Sequence, residues 1–147
     1  MKVLENYINS EWVKSSSSET INVVNPANQD VLAKVPYGSS AAIDVTLACD
    51  SALKAQKEWS KVPVMKRVQV LYKLKSLFEA HREEIAKIIT DESGKTRDES
   101  FGEIQRAIEN IEVACGTPIL MAGDVIEDIA TGIDEMMIRQ PLGVTAC

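Results

Sequence analysis

The chain has 147 residues, of which 45% are hydrophobic and 26% charged, with a formal net charge of −6. That is the composition of one ordinary globular domain, with enough apolar material for a core, and it excludes a disordered chain. No apolar run approaches the ~20 residues that span a bilayer, and the start from Met1 to Asn6 lacks both a secretory apolar stretch and an Arg-rich transit pattern, so the expected setting is cytoplasmic, without a membrane.

The first forty residues predict strands and turns. Asn6-Tyr7-Ile8-Asn9 leads into Glu11-Trp12-Val13, followed by the polar loop Ser15 to Ser18. Thr20 to Val24 is β-branched and alternating, and Val31 to Pro36 is a further strand ended by its proline. Asn25-Pro26-Ala27-Asn28 is a turn, because proline fixes its own φ and moves Asn25 out of the helical region. The expected result is a small meander or hairpin sheet.

Four helices follow. Ser39-Ser40 is the predicted N-cap of Ala41 to Trp59, with Val45, Ala48, Ala52, Ala55 and Trp59 at helical spacing. Pro63 restarts the pattern, and Val64, Val68, Leu71, Leu74, Leu77 and Phe78 form a second amphipathic helix. A third spans Glu83 to Thr90 with Ile85, Ile88 and Ile89 facing inward, and Gly94 is its expected left-handed C-terminal residue. Asp98 is the predicted cap of a longer fourth helix, whose stripe is Phe101, Ile104, Ile108, Ile111, Cys115 and Ile119. Gly116-Thr117-Pro118 interrupts that stripe, and Arg106, Asn110 and Thr117 lie on the opposite side of the wheel.

Val125 to Ile129 and Met136 to Gln140 are two expected strands, with Thr131-Gly132 and Asp134 in the turn between them. Gln140-Pro141-Leu142-Gly143-Val144-Thr145-Ala146-Cys147 predicts a loop entering a hydrophobic strand. A chain that stops inside a new core strand is expected to be the front part of a longer protein.

Charge and cysteines narrow the chemistry. Residues 1–78 carry ten Lys/Arg against seven Asp/Glu, and residues 79–147 carry six against fifteen. A nucleic-acid binder needs a concentrated basic face, which this distribution does not provide. Cys49, Cys115 and Cys147 are odd in number and widely spaced, and His81 has no cysteine or second histidine nearby, so neither a disulfide framework nor a metal site is expected. Buried free thiols are the simplest reading, with Cys115 inert on its apolar stripe and His81 a solvated residue. Gly94-Lys95-Thr96 is not a phosphate loop, because Ile89 stands where the upstream glycine is required, and no GxGxxG occurs. Arg106 has two readings: a surface arginine paired with Glu103, or a guanidinium held in a pocket for a carboxylate or phosphate.

The order and spacing of several segments resemble the amino-terminal part of the aldehyde dehydrogenase superfamily. These are Tyr7 to Val13, Asn25 to Leu32, and Glu92-Ser93-Gly94-Lys95. Gly102 to Glu112, the continuation through Ala114 to Pro118 and Leu120 to Gly123, Asp128 to Asp134, and Ile138 to Val144 are similar to the methylmalonate-semialdehyde dehydrogenase (CoA-acylating) branch.

The resemblance implies an α/β fold. Residues 1–123 would be the front of the NAD-binding domain, with strands over 6–36 and helices over 39–122. Residues 124–141 would be a projecting oligomerisation hairpin, and 142–147 the truncated first strand of the Rossmann-like core. It also implies NAD-dependent oxidation of malonate or methylmalonate semialdehyde through a cysteine thioester, with the acyl group passed to CoA and loss of CO2. Arg106 matches the arginine that holds the substrate carboxylate, and the intact family member is a homo-oligomer, a tetramer. The family's Pro-Phe-Asn-Phe motif would begin just beyond Cys147, and the nucleophilic cysteine and main nicotinamide-binding segments further on. Members are roughly three times this long. No catalytic or cofactor-binding residue is therefore assigned within this chain, Cys147 is not the nucleophile, and the chain alone is expected to be inactive. The alternatives are a relative that hydrolyses its thioester and a helical interaction module without chemistry.

Overall fold

A computed structural model describes residues 2–146. The expected role of Cys147 lies outside the described residues. Two hairpins come first. β1 (Asn6–Ile8) pairs antiparallel with β2 (Glu11–Val13), and β3 (Thr20–Val24) with β4 (Val31–Pro36). The first turn places Asn9 and Ser10 at φ 53° and 66°, the mirror-image turn that matches strand twist. The second is closed by the Asn25 side chain, whose Oδ1 accepts the Ala27 N–H at 2.9 Å. The two hairpins are separate sheets rather than one meander.

The helices are α1 (Ala41–Trp59), α2 (Val64–Ala80), α3 (Arg82–Ser93), α4 (Arg97–Cys115) and the short α5 (Thr117–Leu120). α4 is the centre of the packing, with α2 and α3 against it. Ile104 and Ile108 of α4 are 1% and 5% exposed and meet the fully buried Ala86 of α3. Phe78, Ile85, Ile89 and Phe101 pack around that cluster. The Arg82 and Arg97 guanidiniums lie over Phe101, 5.4 and 5.5 Å from its ring centroid, and cover it from solvent with charge that favours the ring face.

The corner between α3 and α4 is tightly specified. Gly94 adopts φ 72° and its N–H donates to Thr90 O, as the sequence predicts. A Cβ on Gly94 would stand 2.8 Å from Pro26 Cγ, so the glycine also lets the Asn25-Pro26 turn dock on this corner. The cap of α4 is Thr96, not Asp98. Thr96 is extended, its hydroxyl accepts the Glu99 N–H, and the Glu99 carboxylate accepts the Thr96 N–H, a reciprocal capping box. Asp98 instead lies in the first turn, where its charge suits the helix dipole. Behind the corner, the fully buried Ser100 hydroxyl donates to Thr96 O and lies 2.9 Å from Thr90 Oγ1.

Several periodic residues lie elsewhere than expected. Ile119 is 81% exposed, because α4 ends at Cys115 and α5 restarts on a different line. Ile88 is exposed, and Ala86 takes the inward place on α3. Ser40 occupies the start of α1 with helical φ and ψ and makes no cap bond through its side chain. The predicted stripe of α1 is open, with Val45 and Trp59 exposed, since its main packing among the described elements is on the short β1. Its one buried residue is Asp44. That carboxylate accepts from Ser15 Oγ at 2.5 Å, Ser16 N–H at 3.0 Å and Asn6 Nδ2 at 2.9 Å. It thereby ties α1 to the first hairpin.

β5 (Asp124–Ala130) pairs antiparallel with β6 (Ile133–Met137) across Thr131-Gly132. The second strand therefore ends before Ile138 and does not run to Gln140. A register shift separates Ile126 from Ala130, where Asp128 (φ 52°) donates its N–H to Asp134 Oδ1. A Cβ on Gly123 would stand 1.9 Å from Met137 O, so only glycine fits beside the end of β6. Both strands are exposed along their whole length. The strand expected to begin at Leu142 is not formed over residues 142–146, which have no neighbouring strand to pair with.

Two stability tests follow from these contacts. Gly94→Ala should lower unfolding stability by about 1–3 kcal/mol through left-handed strain alone, with the Pro26 contact adding to it, read from urea midpoints. The Asp44 carboxyl is lowered from 3.8 to about 2, chiefly by the Ser15 hydroxyl and then the Ser16 N–H. A carboxyl held below its unfolded value stabilises the fold above that value. The contribution is complete above about pH 4 and lost as pH falls toward 2, so Asp44→Asn should flatten the urea midpoint against pH in this window.

Candidate functional site

Arg106 sits on the face of α4 opposite the core. Burial of Ile104 and Ile108 orients the helix, and a step of two residues from either carries Arg106 round to solvent. There it lines a cavity of about 290 Å³ with Lys95, Glu99, Gly102 and Glu103. Asn110 is exposed on the same helix, and Thr117 is half-buried beyond its end.

The pairing expected between Arg106 and Glu103 is not formed. Glu103 is taken by Lys95 Nζ, and the two side chains are 43% and 41% exposed. Glu99 is taken by Thr96, whose hydroxyl and N–H each lie 2.9 Å from Glu99 Oε2. The Thr96 N–H is the main reason that carboxyl lies below its ordinary range, with the Thr96 hydroxyl next. Glu109 accepts from Gln105 Nε2 at 3.1 Å. Among the described residues, Arg106 makes no hydrogen bond through its side chain and no ion pair. An exposed guanidinium with an unused planar fork can take a carboxylate or phosphate through paired N–H donors.

Lys95 is the site residue that sequence reasoning missed. It is read there only as part of a helix ending, eight positions from Glu103. The signal is the pairing of Gly94 and Thr96, which compresses the turn and sets Lys95 beside the first turns of α4.

The other residues singled out in the sequence lie apart. Cys115 is buried, as expected, and borders a larger cavity of about 710 Å³ between α2 and the end of α4. Lys75 spans that cavity's rim, 3.0 Å from Glu79 and 3.2 Å from Glu112, and these acids raise its pKa. Cys49 is exposed rather than buried, on the open outer side of α1. His81 is exposed, with Nδ1 at 3.1 Å from Glu84. Among the described residues no helix is long and apolar enough to cross a membrane.

The neighbours of this chain are consistent in kind. It is 46% identical over 145 residues to malonate-semialdehyde dehydrogenase 2 of Geobacillus thermodenitrificans, an alignment that takes in 99% of this chain and 30% of the relative. It is 43% identical to malonate-semialdehyde dehydrogenase of Lacticaseibacillus casei over 98% of this chain and 29% of that protein. The crystal structure of methylmalonate-semialdehyde dehydrogenase from Oceanimonas doudoroffii superposes with a TM-score of 0.89 at 34% identity, over 97% of this chain and 28% of the other. The chain thus spans under a third of the length of the relatives it matches. The match to the aldehyde dehydrogenase family itself runs over residues 12–147 and takes in the β3–β4 and β5–β6 hairpins, every helix and the Arg106 face, so this chain belongs to the aldehyde dehydrogenase family.

Proposed function

We propose that the chain is the amino-terminal segment of an NAD-dependent, CoA-acylating malonate- or methylmalonate-semialdehyde dehydrogenase, and that Arg106 holds the substrate's carboxylate. The observation that supports this most is the free guanidinium of Arg106 on an open cavity, with each nearby acid engaged elsewhere. A semialdehyde that carries a carboxylate needs a fixed cation at one end, and a two-pronged contact there also orients the aldehyde at the other.

In this reading the aldehyde is oxidised through a cysteine thioester, and CoA takes the acyl group with loss of CO2. NAD is the hydride acceptor and CoA the co-substrate. The described residues do not fit either as a cradle. They contain no glycine-rich turn opening a helix that could receive a phosphate. The chain's own contribution is therefore recognition of the substrate's charged end. The exposed hairpin of β5 and β6 suits a second role. Its unpaired edges and its apolar residues, Val125, Ile126, Ile133 and Met136 among them, fit pairing with another subunit of a homo-oligomer, a tetramer.

The test of Arg106 belongs in a polypeptide of the relatives' full length. Arg106→Leu should raise KM for malonate semialdehyde by roughly 10- to 100-fold, the loss expected for a charge-assisted hydrogen-bonded pair. KM for propanal, which lacks the carboxylate, should change little, and equal losses on both substrates would show a structural role. The 147-residue chain alone, given semialdehyde, NAD and CoA, should form no NADH. A rising absorbance at the NADH band would overturn that part of the reading.

A further inference from the structure

We infer that Lys95 is a positioning residue for the Arg106 site: by holding Glu103, it keeps the guanidinium free for an incoming carboxylate. The inference rests on the proposed role of Arg106. Glu103 is three residues before Arg106 on α4, the spacing at which acid and base side chains meet on a helix. Left alone, that pair would close on itself and neutralise the site. In the structure Lys95 reaches across the α3–α4 corner and binds Glu103 instead. Of the other acids within two turns of Arg106 on α4, Glu99 and Glu109 are held by Thr96 and Gln105, and Glu112 by Lys75. Gly102, one turn before Arg106, has nothing within 4 Å of where a Cβ would stand, so the space in front of the guanidinium stays open.

Lys95 can act here because the corner is short. Gly94 turns the chain left-handed and Thr96 starts the next helix, so Lys95 is fixed at its backbone between two capped ends. Its ammonium is a compact point charge that suits one carboxylate, while the fork of Arg106 suits a two-pronged ligand. The two cations on this cavity therefore divide the work: one neutralises the protein's own acid and the other remains for the ligand.

The experiment uses the chain itself, labelled with nitrogen-15, and propanoate as the probe at ionic strength held constant with chloride. The backbone amides of Gly102 and Arg106 report binding. Lys95→Met should weaken propanoate binding roughly two- to fivefold, the range set by a half-exposed ion pair. In the Glu103→Gln background the same Lys95→Met change should have no effect, because no carboxylate remains to capture Arg106. The double variant has the net charge of the parent, so a loss caused only by general charge would also vanish in it. The double variant is therefore compared with the Glu103→Gln single variant: general charge would make Lys95→Met weaken binding by the same factor there as in the parent, whereas the loss of a competing carboxylate leaves the two equal. If Lys95→Met weakens binding equally in both backgrounds, Lys95 acts on the anion itself, by contact or by charge, and the inference is overturned. An unchanged affinity in Lys95→Met overturns it as well. Arg106→Leu tells the two levels apart. If it leaves propanoate binding intact, or if the parent chain shows no saturable shift, the reading of Arg106 fails and takes the inference with it. If Arg106→Leu abolishes binding while the Lys95 cycle shows no coupling, only the role of Lys95 fails. Amide spectra that superpose away from the site show that each variant is folded, and Lys95→Arg, which retains the pair, should bind as the parent does.

Discussion

The burial of one face of α4 is the constraint on which the rest of the structure depends. Ile104 and Ile108 enter the space between α2 and α3, and Ala86 is small enough to let α3 approach them closely. In a close-packed interior such a contact fixes the rotation of a helix about its own axis. Once it is fixed, Glu99, Gly102, Glu103 and Arg106 must share the opposite face. The apolar stripe thus positions a polar site without any of its residues touching that site.

The α3–α4 corner adds a second level of control. Gly94 closes one helix, Thr96 and Glu99 open the next, and Ser100 satisfies its buried hydroxyl between them. These local bonds do more than cap helices. They commit Glu99 to the backbone and place Lys95 against Glu103, so the electrostatics around Arg106 are set by turn chemistry. The Asn25-Pro26 turn reaches the same corner through Gly94, which links the amino-terminal strands to the site.

The outer surfaces have a different character. Among the described residues the buried hydrophobic side chains are Val68, Ala86, Ile104, Ile108 and Cys115, whereas Val45, Leu53, Trp59, Leu77, Val125 and Ile133 are exposed. Exposed apolar area on this scale marks surface suited to contact with further protein. It agrees with a chain that spans under a third of its relatives' length. It also explains why α1 depends on polar contacts. With little apolar packing available, the Asp44 bonds to Ser15, Ser16 and Asn6 carry its attachment to the first hairpin.

The sequence by itself determined whatever local rules govern. The strand pairs around Asn9-Ser10, Asn25-Pro26 and Thr131-Gly132, the helix ending at Gly94, the restart at Pro63 and the inward turn of Ile104, Ile108 and Cys115 are all legible, because turn residues and helical spacing act within a few positions. The likeness of Gly102 to Glu112 to one enzyme branch was legible too, and with it the candidacy of Arg106. Periodicity could not decide which apolar residues are covered, since Trp59, Ile88 and Ile119 fit their stripes and still face outward for want of a partner surface. Nor could spacing choose between Glu103 pairing with Arg106, three residues away, and with Lys95, eight away. Only the tertiary structure decided that, because the choice depends on how a two-helix corner folds back and brings a distant ammonium closer than the adjacent guanidinium.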